Sequence, residues 1–68
     1  MDTAAALKAL RLFVRTVENT GGVAYNEEGL AYPVADPDWL DVGMAYLDAC
    51  AALRIAPVVV TPADAHGA

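Results

Sequence analysis

An apolar pattern with the period of a helix stops at Asn19-Thr20-Gly21-Gly22, and that stop constrains everything the chain can build. Upstream of it, Ala6, Leu7, Leu10, Phe13, Val14 and Val17 gather on one broad face at about 100° per residue. The spacing predicts a helix over 4–18, with Asp2 or Thr3 capping its free amides. Lys8, Arg11 and Arg15 form a neighbouring stripe on that helix, with Glu18 near its end. Leu12 falls outside the apolar arc, either as an isolated exposed leucine or as part of a second surface.

After the stop, residues 23–34 read as a β-hairpin. Val23-Ala24-Tyr25 and Leu30-Ala31-Tyr32 flank Asn26-Glu27-Glu28-Gly29, which suits a type I turn followed by a left-handed glycine. That turn sets the register: Asn26 opposite Leu30, Tyr25 opposite Ala31, Ala24 opposite Tyr32. Tyr25 and Tyr32 then point to opposite faces, one packing on the helices and the other partly wet. A second helix follows, with Asp36 as cap and Pro37 in its first turn, or with Asp38 as the alternative cap. Trp39, Val42, Gly43, Tyr46, Leu47, Cys50 and Leu53 share one arc of it, while Asp41, Ala45, Asp48 and Ala52 lie opposite. The helix should end near Arg54 or Ile55, because Ala56 precedes a proline. Gly43 in the buried arc predicts close approach of another element, helix 1 or the hairpin. Val58-Val59-Val60, between Pro57 and Pro62, fits a short strand or an extended segment on the sheet's rim.

The fold class expected is therefore α+β: two helices packed on a small antiparallel β-hairpin, in the order α-β-β-α, with a short third strand as an addition. The domain spans 1–62, and residues 63–68 form a frayed tail. A chain of 68 residues has room for one core. Cys50 is the only cysteine, so no internal disulfide can reinforce it. At this size the surplus of apolar burial over ordering entropy is thin, and a homodimer is one way to enlarge it.

The composition argues against several kinds of chemistry. Serine is absent, and the only histidine, His66, falls in the expected tail, far from a helical Cys50. One cysteine and one histidine do not make an ordinary zinc site. Asp36, Asp38 and Asp41 crowd together, but capping and the amide end of helix 2 account for them without a metal. The chain is expected to have no catalytic site and no cofactor. Nine Asp and Glu against four Lys and Arg give a formal charge of -5, a sign that disfavours nucleic acid and anionic membranes as direct partners. With no spanning apolar run and no basic leader, the expected location is the cytoplasm.

What remains is contact. No Lys or Arg occurs from Thr16 through Leu53, while Glu18, Glu27, Glu28, Asp36, Asp38, Asp41 and Asp48 do. A fold that brings the hairpin turn near the start of helix 2 would make an acidic patch bordered by tyrosine and Trp39. The candidate protein-binding residues are Glu27, Glu28, Tyr32, Asp36, Asp38, Trp39, Asp41 and Asp48, and the expected partner is a basic protein. In general character, without a motif behind it, the chain resembles compact acidic phage and mobile-element proteins, CRISPR inhibitors among them. That implies an inhibitor of a nucleic-acid-binding enzyme. The alternative is an assembly module, either a subunit of a larger complex or a homodimer that buries Leu12 and a free sheet edge.

Overall fold

The computed structural model describes residues 2–60. The sequence expectations for His66, for the 63–68 tail and for residues 61–62 lie outside them. The order is α1 (Thr3–Asn19), β1 (Val23–Tyr25), β2 (Ala31–Pro33) and α2 (Leu40–Leu53). Both helices pack with the antiparallel hairpin around one core, in the α-β-β-α order predicted.

Asp2 caps α1, its carboxylate accepting from the Ala4 N–H at 3.0 Å. The helix stops as its glycines dictate. Gly22 N–H reaches the Val17 carbonyl at 3.0 Å and Gly21 N–H reaches Glu18 at 3.2 Å, a Schellman closure. Gly22 also passes directly under the C-terminal segment. A side chain there would stand 2.8 Å from Val58 Cγ1.

The hairpin register is the one predicted, with Ala24 opposite Tyr32 and Tyr25 opposite Ala31. Asn26 N–H donates to Leu30, and Gly29 turns left-handed at φ 82°. Neither hairpin tyrosine enters the core: Tyr25 is exposed near the hairpin's tip, and Tyr32 lies half-buried on the face it shares with Ala24. The core tyrosine is Tyr46 of α2, which is fully buried with Val14, Val17, Val23, Ala31, Ala49 and Cys50. Residues 57–60 lie along β1 as a parallel bridge between Val23 and Val59. Val23 N–H donates to Val58 at 3.1 Å, and Val60 N–H to Val23 at 2.8 Å.

Three expectations need correction. Neither Asp36 nor Asp38 caps α2: it begins at Leu40, with Trp39 in the cap position and no side-chain cap bond. Proline's fixed φ suits the second position of a turn as well as the first turn of a helix. Here Trp39 N–H closes Asp36-Pro37-Asp38-Trp39 onto the Asp36 carbonyl at 3.1 Å. The preceding turn, Asp36 N–H to Pro33, completes the reversal that returns the chain over β2. Second, the predicted apolar face of α1 is only partly used. Val14 and Val17 are buried and Leu10 and Phe13 half-buried, but Ala6 and Leu7 are exposed. At 1.5 Å per residue α1 is about 25 Å long, and the short hairpin and α2 cover its C-terminal part alone. Third, the outer edge of β2 is not free. Ala31 N–H donates to Met44 Sδ at 3.5 Å, and Pro33 has no N–H to offer.

The close approach predicted at Gly43 is to the hairpin. A Cβ there would run into the Ala31 carbonyl and stand 2.6 Å from Tyr32 Cα. Backbone cannot rotate away as a side chain can. Gly43→Ala should therefore lower stability by about 3 kcal/mol, despite alanine's better helix propensity. The check is a urea melt, with a lower midpoint and an unchanged slope expected.

Candidate functional site

The two turns before α2 put Trp39 on the surface, 57% exposed. A large aromatic in that position is unusual, because burying it would remove a big apolar area from water. Two depressions meet at it. Asp36, Asp38 and Trp39 line a shallow recess of about 310 Å³. Beyond Trp39 runs a groove of about 330 Å³, with Phe13, Thr16 and Val17 of α1 and its cap residue Thr20 on one wall. Pro33, Ala35, Asp36, Trp39 and Val42 form the other.

The groove is apolar in spite of its threonines. Thr16 Oγ1 donates to the Leu12 carbonyl at 2.8 Å and Thr20 Oγ1 to Val17 at 2.9 Å, so both hydroxyls are engaged by their own helix. No buried side-chain nitrogen or oxygen among the described residues lacks a hydrogen bond. The groove thus offers no unpaired buried polar group with which to orient a small ligand. Its one charged lining residue is Asp36, with Asp38 in the adjoining recess beside Trp39, and neither carboxylate is used as a helix cap.

Seven of the eight predicted site residues divide into three sets. Asp36, Asp38 and Trp39 come together. Asp41 and Asp48 are exposed on α2, seven residues and about 10 Å apart on one face. Glu27 and Glu28 sit on the hairpin tip, where Asn26 Oδ1 fixes the loop by accepting from the Glu28 and Leu30 N–H groups at 2.9 Å each. Asp36 is hydrogen-bonded to Pro33 at the far end of β2, roughly 10 Å along the strand from the tip. Glu27 and Glu28 line neither of the depressions that meet at Trp39. Tyr32 belongs to neither depression. Sequence reasoning missed the groove itself: Phe13, Val17 and Val42 carry the same apolar signal whether they line a core or an open cleft.

The remaining polar centre is buried. Tyr46 Oη donates to Glu18 Oε2 at 2.8 Å and accepts from the Val58 N–H at 2.7 Å. Burial pushes the hydroxyl's pKa well above the ordinary tyrosine value. The Glu18 and Cys50 side chains push the same way, and the Val58 N–H opposes them. Cys50 is a free, buried thiol. Among the described residues, no group of three or more His, Cys, Asp and Glu is placed to hold a metal ion, and no helix is long and apolar enough to cross a membrane.

No protein-family model, curated protein or solved structure matches the chain.

The Tyr46 network has a measurable pH signature. The unfolded chain releases this proton near pH 10, whereas the folded protein holds it to higher pH, so the folded state binds more protons in that window. The tyrosine's contribution should be fully present below about pH 10 and fall away as pH rises further. Tyr46→Phe should cost about 2 kcal/mol at neutral pH, since it leaves the Val58 N–H without its partner. It should also flatten the alkaline fall in stability, read from urea midpoints at a series of pH values.

Proposed function

We propose that this protein acts by contact, as a protein-binding module whose working surface is the Trp39 groove. Its partner presents an apolar side chain flanked by lysine or arginine. The observation that carries this reading is the pairing of an open apolar groove with an exposed tryptophan and two rim aspartates. Tryptophan is a frequent anchor of protein interfaces, and its ring face also attracts cations. Carboxylates at the rim would speed encounter with a basic surface and reject an acidic one. Asp41 and Asp48 extend the same sign along α2.

A narrower form of the proposal is inhibition of a nucleic-acid-binding enzyme, whose basic surface fits this chemistry. In that form the groove supplies the anchor and the aspartates the charge. The separation of Glu27 and Glu28 from Asp36 and Asp38 favours anchored recognition over a continuous row of carboxylates standing in for phosphates.

Trp39 is the only tryptophan, so its emission reports on the groove directly. Titration with a helical peptide carrying leucine between lysines should shift that emission to the blue. Replacing both rim residues, Asp36→Asn with Asp38→Asn, should weaken the affinity roughly tenfold and reduce its salt dependence. An acidic peptide with the same leucine should not bind. Equal affinity for the two peptides, or no shift with either, would overturn the proposal.

A further inference from the structure

The flank of α1 away from the groove carries the complementary chemistry. Lys8, Arg11 and Arg15 recur at three- and four-residue spacing and share their face with Leu12, which is 62% exposed. These four residues line a recess of about 300 Å³. Arg11 and Arg15 also line a neighbouring recess against Leu53 and Ile55. Arg54, the one other cation in the chain, stands between those two in sequence. At 100° per residue, this stripe is centred roughly 140° around α1 from the groove wall formed by Phe13, Thr16, Val17 and Thr20. One flank is an apolar knob among cations, and the other is an apolar groove with an acidic rim.

The geometry points to a head-to-tail contact between two copies of this chain, in which Leu12 of one enters the Trp39 groove of the next while Lys8, Arg11 and Arg15 face Asp36 and Asp38. This rests on the groove being a contact site and names its occupant. The two surfaces differ and face apart around α1, the cations roughly opposite the groove wall and Leu12 roughly 90° from its centre, so the contact is heterologous. It repeats into a ring or an open chain and is not closed by one two-fold axis. A basic partner protein would compete with this assembly for the same groove.

Sedimentation over a roughly hundred-fold concentration range tests it. The wild-type mass should rise past that of a dimer, with a blue shift of Trp39 emission, and fall again with added salt. Leu12→Asp leaves the groove intact and should weaken self-association at least roughly tenfold. Asp36→Lys with Asp38→Lys leaves the stripe intact and should do the same. Mixed in equal amounts, the two variants should form a complex that stops at two chains, because each supplies the surface the other lacks. That rescue also shows that both variants are folded. A wild type that stays monomeric at about 1 mM, or an assembling wild type whose variants do not complement, overturns the inference. If the monomeric wild type still binds the lysine–leucine peptide, self-assembly alone falls; if it binds neither, the groove reading falls with it.

Discussion

The fold closes around one phenolic hydroxyl. Tyr46 belongs to α2, yet its oxygen joins the last full turn of α1 through Glu18 and the rim segment through Val58. Apart from that bond, residues 57–60 are tied to the sheet by two hydrogen bonds to Val23. In a chain without a disulfide, a hydroxyl whose two part-buried bonds join three segments constrains more than their own energy suggests. The hydroxyl is useful only where Glu18 and Val58 meet. The Schellman closure of α1 places Glu18, and bare Gly22 lets Val58 lie above it.

Gly43 is the other fixed point, and the two act together. Its missing side chain lets α2 rest on the backbone of β2, which brings Met44 to the Ala31 N–H and Tyr46 into the core. Such tight packing is centred on a few small residues, so the core is short. The first two turns of α1 extend beyond it, and Leu12 is left in water. The overhang follows from the mismatch between a 17-residue helix and strands of three residues.

Much of this was readable from local chemistry. The hairpin register followed from Asn26 and Gly29, because a turn type fixes which residues oppose. The stop of α1 and the close approach at Gly43 were equally local. The start of α2 was not: Pro37 fits a first helical turn and a β-turn alike, and the choice depends on where β2 sends the chain. Helical period placed Tyr46 on the buried arc of α2, but strand alternation could not show that both hairpin tyrosines would stay out of the core. Tyr25 and Tyr32 sit in strands too short to cover them, whereas Tyr46 finds partners 28 residues back and 12 residues on. For the site, the sequence named Asp36, Asp38 and Trp39 correctly as neighbours. It joined them to Glu27 and Glu28 because distance along a hairpin is invisible until its ends are placed. The groove walls come from both helices and the link between them, so no single segment carries its signature.

The unused caps fit the contact role proposed for residues 36–39. Aspartate at a helix start stabilises by about 1 kcal/mol over a residue that cannot cap. This chain has Asp36 and Asp38 within four positions of the start of α2, yet the helix begins behind a tryptophan with no cap bond. The same segment exposes the largest side chain in the protein beside those two carboxylates. At α1 and the hairpin the local preferences agree with the fold: Asp2 caps the helix, glycines end it, and Gly29 takes the left-handed turn, whereas Arg54 ends α2 left-handed at φ 58° where glycine is favoured. Within these four residues a helix cap gives way to a β-turn whose first two positions suit Asp and Pro, and that turn is what exposes the proposed contact surface. By the same logic Leu12 amid cations is the natural counterpart, since it too is apolar surface that packing leaves uncovered.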